Sequence, residues 1–263
     1  MVKEILTLNQ LSLSFGGLAA VSNLDLTLTE GELVGLIGPN GAGKTTVFNL
    51  LTGVYPPSSG TIEFHRGEAV HKLGGMKPHA ICRAGVGRTF QNIRLFRTLS
   101  VLDNVMIAQA QRMRYGLVPS FLHTPKHKRT EQKIREESME LLRIMDLADK
   151  AGELAQNMSY GEQRRLEIAR AMATQPVLLL LDEPAAGMNP AETAQLTELI
   201  SWLRKEFTLT ILLIEHDMSL VMNICERIYV LDHGLLIASG TASKIQHNPA
   251  VITAYLGEEV GDA

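Results

Sequence analysis

Residues Gly38-Pro39-Asn40-Gly41-Ala42-Gly43-Lys44-Thr45 match the spacing G-x-x-x-x-G-K-[ST], a pattern that holds phosphate. Glycines at this spacing let successive backbone N–H groups turn inward around a β-phosphate. A helix starting at the lysine adds the partial positive charge of its N-terminus. Lys44 then reaches the β- and γ-phosphates, and the Thr45 hydroxyl offers a ligand to Mg²⁺. A group with matching chemistry stands at Asp182-Glu183-Pro184. Asp182 can hold Mg²⁺ through a water, and Glu183 can orient or deprotonate an attacking water. Taken singly, the first motif is a glycine-rich turn with an exposed lysine and the second an acidic turn. Together they describe hydrolysis of a nucleoside triphosphate.

Both motifs need strands to present them. Residues 32–37 read as a buried strand, and residues 45–52 as a helix ended by Gly53 and Pro56-Pro57. Residues 177–181 and 209–214 are apolar runs without polar alternation, the pattern of parallel strands covered on both faces. Both carboxylates therefore emerge at the C-terminal edge of a strand, where open α/β sheets bind ligands. Between those strands, Leu196, Leu199, Ile200 and Leu203 recur at helical spacing. The first thirty residues alternate as half-buried strands do, through Leu11, Leu13 and Phe15, then Leu24, Leu26 and Leu28. Residues 99–110 and 131–147 look helical, separated by an irregular loop with Gly116, Pro119 and Pro125. Residues 227–239 read as a hairpin around 232–234, leading to a short final helix. Strands and helices alternate over much of the chain, which predicts an α/β layer fold with a helical insertion.

Composition excludes several other classes. The chain has 263 residues, of which 45% are hydrophobic, 20% charged and 5% aromatic, enough to bury a real core and unlike a disordered or disulfide-stapled chain. A net charge of −3 argues against a dedicated nucleic-acid binder, so no nucleic-acid partner is expected. No apolar run approaches the roughly 18 residues of a membrane span. The opening MVKEILTLNQ lacks the apolar stretch of a secretory leader, and Cys82 and Cys225 show no metal or disulfide spacing, so a reducing cytoplasmic setting is expected.

Between the two motifs lies Ser159-Tyr160-Gly161-Glu162-Gln163, followed by Arg164-Arg165-Leu166-Glu167-Ile168-Ala169-Arg170. With Gln91 in Arg88-Thr89-Phe90-Gln91 and His216 in Ile214-Glu215-His216-Asp217, these motifs make the chain resemble the ATP-binding cassette (ABC) family over nearly its whole length. The resemblance implies an α/β fold: a P-loop NTPase (RecA-like) core, an N-terminal antiparallel β subdomain and an inserted α-helical subdomain. Within a single cassette of residues 1–263, it assigns 1–86 and 159–240 to the core, 87–158 to the helical subdomain and 241–263 to a C-terminal helix and tail. It makes Glu183, His216 and Gln91 catalytic, and Thr45, Gln91 and Asp182 the residues around Mg²⁺. Phe15 stacks on adenine, and residues 38–45 with Thr46 contact ATP. Ser159, Gly161 and Gln163 act on the ATP of an opposite subunit.

Two positions also carry a plain structural reading. Ser159-x-x-Glu162 is a capping box, and a carboxylate facing phosphate is unfavourable, so Glu162 is expected to turn back onto the cap. Asn189-Pro190-x-Glu192 reads as an N-cap, a proline at the first helical position and a capping glutamate, where the family usually has aspartate at 189.

Four stretches (85–96, 164–170, 183–187 and 248–257) look like one branch of the family, the bacterial high-affinity branched-chain amino-acid uptake system. That branch implies two membrane permeases, a periplasmic binding protein, and a head-to-tail partner that is either a second, related ATPase or a second copy. It places the chain peripherally on the cytoplasmic face of the inner membrane. The same ATPase role for other neutral amino acids or urea is the alternative, and a non-transport ABC ATPase a more distant one. Residues 112–135 hold seven Lys/Arg against the single acid Glu131, which reads as a solvated face or a contact with lipid headgroups or permease loops.

Overall fold

The computed structural model describes residues 3–110 and 125–259, with side chains for 3–109 and 129–255. It contains two compact units: Met1–Arg88 with Val177–Ala263, and Thr89–Pro176.

In the first unit, the early alternation becomes two long antiparallel strands, β1 (Glu4–Phe15) and β2 (Leu18–Thr29). Their buried faces switch parity midway. Leu6 and Leu8 point inward, and then Leu11 and Leu13 do. One extra residue in β1, Gln10 at φ +47°, absorbs the switch, and Asn23 at φ +49° does the same in β2. Each bulge is tied down by its partner strand: the Gln10 N–H donates to Asp25 Oδ1 at 2.7 Å, and the Asn23 N–H to Ser12 Oγ at 2.8 Å. Residues 59–88 carry no element in the sequence reading. They supply β4 (Ser59–Arg66), β5 (Ala69–Lys72), a helix and the strand β6 (Val86–Arg88). β3 (Leu33–Ile37) leaves for the second sheet, so the first has the order β2-β1-β4-β5.

The second sheet has the order β10-β9-β3-β8-β7-β6. β7 (Leu178–Asp182), β8 (Thr210–Ile214) and β9 (Arg227–Asp232) join β3 and β6 in parallel; β10 (Leu235–Gly240) closes one edge antiparallel. Every residue of β3, β7 and β8 is buried, which explains why their sequences show no alternation. Helix α1 (Lys44–Leu51) covers this sheet with Val47, Phe48 and Leu51, in one core with Leu36, Leu180, Leu212 and, from the first sheet, Leu6, Leu24 and Phe64. The short helix α2 (Pro78–Ala84) adds Ile81 to the same core.

The second unit is helical. α3 (Val101–Ala110) packs against α4 (Pro125–Ile144) and α5 (Tyr160–Ala173), burying Val101, Val105, Leu142, Met145 and Leu166. α4 begins at Pro125, six residues before the start expected, with proline at its first helical position. Gly116 and Pro119 of the expected loop lie outside the described residues, as do Arg112 and Arg114 and the side chains of Lys126 and Lys128 from the basic run. The sequence reading ends the helical segment at 158, whereas the compact unit extends to Pro176. The reason is packing: α5 buries its apolar side against α3 and α4.

The first unit is completed by α6 (Pro190–Glu206), α7 (Met218–Ile224), α8 (Ala242–Gln246) and α9 (Pro249–Glu259). Among the described residues no helix is long and apolar enough to cross a membrane. Cys225, just after α7, is buried against Gly35 of β3, and burial pushes its thiol up to about 12. Cys82 on α2 is half-buried. A thiol reagent at pH 8 is therefore expected to label Cys82 alone in the native protein and both cysteines in denaturant. The thiol stays neutral in the fold but ionises near 9 once exposed, so unfolding releases a proton between those values. Stability then falls as pH rises from 9 towards 12.

Candidate active site

The phosphate-loop motif leaves the end of β3 and is pressed from behind by two other elements. Gly38 adopts φ +147°, and a Cβ placed there would lie 2.0 Å from the Leu231 carbonyl oxygen of β9. At Gly43, φ +100°, a Cβ would meet the Ala20 carbonyl oxygen at 2.5 Å. The Gly234 N–H donates to Ala42 O at 3.0 Å and the Ser22 N–H to Gly234 O at 2.8 Å, so the loop is stitched to β2 and to the β9–β10 turn. Gly43 is the N-cap of α1, and no side chain caps that helix and no acid stands in its first turn. Its N–H donors, with the helix dipole behind them, suit an anion. The buried Lys44 amino group curls over the loop and donates to Gly38 O at 2.6 Å and Pro39 O at 2.7 Å. Thr45 and Thr46 follow in the same first turn.

Register brings the carboxylates to the same sheet edge. Leu36 of β3 pairs with Ile214 of β8, which pairs with Asp182 of β7, so the three strands end level. Asp182 Oδ2 accepts from Arg88 Nη2 at 2.9 Å. The other Arg88 nitrogen, Nη1, donates to Asn49 Oδ1 at 2.8 Å and Thr52 Oγ1 at 3.0 Å, tying the end of β7 to α1. Glu183 sits at φ +48°, donates its N–H to Ile214 O at 2.9 Å, and places Oε1 2.7 Å from His216 Nε2. The buried Glu215 binds the two turns together: Oε1 accepts from the Ala185 N–H at 2.7 Å and Oε2 from the His216 N–H at 3.1 Å. Burial raises its carboxyl above the ordinary range, against the opposing pull of those N–H donors. Asn189 caps α6, its Oδ1 accepting from the Ala191 and Glu192 N–H groups at 3.0 Å each. Phe15 is 47% exposed and meets Tyr55 edge-to-face, ring centroids 5.1 Å apart.

In the helical unit, Ser159 caps α5. Its Oγ accepts from the Glu162 N–H at 3.4 Å and Glu162 Oε2 accepts from the Ser159 N–H at 2.9 Å, so the acid does turn back. Lys150 pairs with Glu162 and holds its carboxyl below the usual carboxylate range. Gly161 lies in the first turn, and Gln163 Nε2 donates to Met158 O at 2.9 Å. Gln91 lies in the same unit, its carbonyl accepting from Arg164 Nη2 at 2.9 Å. Thus Gly38–Thr46 motif residues, Asp182, Glu183 and His216 share one sheet edge of the first unit, while Gln91, Ser159, Gly161 and Gln163 belong to the second. Arg88, Glu215, Arg164 and Glu167 stand in the quoted motifs without a role of their own, and Tyr55 stands in none, because each also depends on a partner distant in the chain.

A mostly parallel sheet with a phosphate nest after the inner strand β3 and two carboxylates at the end of β7, the next strand but one, defines a P-loop nucleotide-binding protein. The family model for ABC transporters matches residues 21–186, and that for the branched-chain amino acid ATP-binding cassette transporter matches residues 236–261. The chain is 51% identical over 258 residues to the high-affinity branched-chain amino acid transport ATP-binding protein LivG of Salmonella typhimurium, covering 98% of this chain and all of that one. It is 47% identical to BraF of Pseudomonas aeruginosa, with the same coverage. Its fold matches the ADP conformation of MJ1267, an ATP-binding cassette of an ABC transporter, with TM-score 0.82, 27% identity, and 97% and 99% of the two chains covered. The chain belongs to the ABC transporter family and is one of its ATP-binding, ATP-hydrolysing cassettes.

Proposed function

We propose that this chain is the ATP-hydrolysing subunit of an importer of the branched-chain amino acids leucine, isoleucine and valine. The full-length 51% identity to LivG, together with the match of its C-terminal residues 236–261 to the branched-chain amino acid cassette model, carries this reading. In it, backbone N–H groups of residues 40–46 and the Lys44 ammonium hold the ATP phosphates. Lys44 exchanges its loop carbonyls for them. Thr45 and Asp182 are hard oxygen donors, the donor set Mg²⁺ takes, and Gln91 joins them; the bound ion would neutralise charge between the phosphates. Glu183 accepts the proton of the attacking water, and His216 holds its carboxylate in place. Phe15 offers its exposed ring to adenine.

One chain cannot complete the site. Ser159, Gly161 and Gln163 serve the ATP of an opposite subunit, so two cassettes, this chain twice or with a related ATPase, pack head-to-tail. They sit peripherally on the cytoplasmic face of the inner membrane against two permeases, which a periplasmic binding protein supplies. The test is uptake of labelled leucine by cells lacking this protein. Wild type is expected to restore it, whereas active ATPase without leucine uptake would remove the substrate assignment.

A further inference from the structure

Resting on that reading, we infer that Arg164 and Glu167 are positioning residues that clamp the Gln91 segment to the signature helix α5. The Arg164 side chain is fully buried, although arginine is rarely buried without a specific partner. Its Nη1 donates to Phe90 O at 2.6 Å and to Glu167 Oε2 at 2.8 Å; its Nη2 donates to Gln91 O at 2.9 Å and to Tyr160 Oη at 3.2 Å. Glu167 Oε1 in turn accepts the N–H groups of Phe90 and Arg94, both at 3.3 Å. One turn further along α5, Arg170 donates to Arg94 O, and its guanidinium lies 4.9 Å from the Phe96 ring centroid. Three residues at i, i+3 and i+6 on one face of α5 thus grip the backbone of residues 90–94 from both its donor and its acceptor side.

Stability does not account for this arrangement. A buried ion pair is a weak stabiliser compared with apolar packing, and here the buried Arg164 Nε has no hydrogen-bond partner among the described residues. What the clamp supplies is a rigid link. Tyr160 of the signature motif and the carbonyl of Gln91 are held by the same guanidinium nitrogen. A nucleotide that draws on Gln91 therefore moves α5 with it, so that the signature residues offered to the partner subunit report the state of this subunit's own ATP.

Hydrogen exchange on the purified full-length protein tests the link. In R164A and E167A the amides of residues 90–94 are expected to exchange about tenfold faster, with β3, β8 and the second half of α5 still protected. R164K should behave like R164A, because an ammonium cannot reproduce the fork across two carbonyls. E167Q keeps an oxygen for both N–H groups but turns its NH₂ towards the Arg164 Nη1 donor and removes the buried guanidinium's counter-charge. Exchange at 90–94 should therefore be faster than in wild type and slower than in E167A. Unchanged exchange at 90–94 in R164A, or loss of protection along all of α5, overturns the clamp. In vesicles containing the complete transporter, R164A should raise the ATP hydrolysed per leucine moved by about fivefold or more, with KM for ATP within about twofold. That ratio is independent of the folded fraction, and a parallel fall in both activities overturns the coupling role. A wild-type transporter that moves no leucine removes the transport reading instead, and the exchange result still decides the clamp.

Discussion

Replacing Glu183 by glutamine is expected to lower ATP hydrolysis by about 10²- to 10⁴-fold while ATP binding stays within a few-fold of wild type. The amide keeps the shape of the side chain and can still hydrogen-bond His216, but it cannot accept a proton from water. The backbone at this position supports the assignment. Glu183 is held at φ +48°, a conformation that costs of order 1–3 kcal/mol in a non-glycine residue. Its N–H bond to Ile214 O and the Oε1 contact with His216 fix the carboxylate where β7 and β8 end level. Phosphate release at saturating ATP, with equilibrium binding of a fluorescent nucleotide, separates the two effects. Turnover near wild type would move the proton acceptor to another group.

Gly38→Ala is expected to damage both folding and nucleotide binding. The added Cβ would sit 2.0 Å from the Leu231 carbonyl oxygen and 3.0 Å from its carbon, both backbone atoms of β9 that cannot rotate away. Strain from φ +147° and forced displacement together amount to roughly 3–5 kcal/mol. For a chain of this size, at about 2–4 °C per kcal/mol, that is a fall in melting temperature of roughly 6–20 °C. The displaced loop also mis-aims its N–H groups, so the rise in melting temperature that wild type shows on adding ATP should be largely lost. A variant that melts like wild type would mean that β9 yields to the loop, and the clash argument would fail.

The motifs legible in the sequence are those whose chemistry is local. Residues 38–45 spell a phosphate nest in eight consecutive positions, and the unbroken apolar runs of β3, β7 and β8 announce strands covered on both faces. What stayed hidden depends on long-range partners. Arg88 acquires meaning only from Asp182, 94 positions away, and Glu215 only from Ala185, 30 positions away. The parity switches at Gln10 and Asn23 break the alternation from which register is read, and β4 contributes only Ile62 and Phe64 to its buried face, too few for a period to show. The grouping of α5 is hidden for a related reason: it opens with the signature motif, yet it packs with the helices before it.

The pairing of β3 also sets a schedule for synthesis. Its partners β8 and β9 are matched at Leu33 with Ile211 and Val34 with Arg227, so the chain must grow by 178 residues before β3 finds its first neighbour in the sheet. At ribosomal speeds of about 5–20 residues per second, that is a wait of roughly 9–36 s. Throughout it a five-residue apolar strand is without its final cover, whereas Thr89–Pro176 is one uninterrupted stretch that can close on itself as it emerges. Of the two units, the helical one is thus the first whose whole chain is available during translation. The strand that carries the phosphate loop is a natural client for a chaperone on the nascent chain.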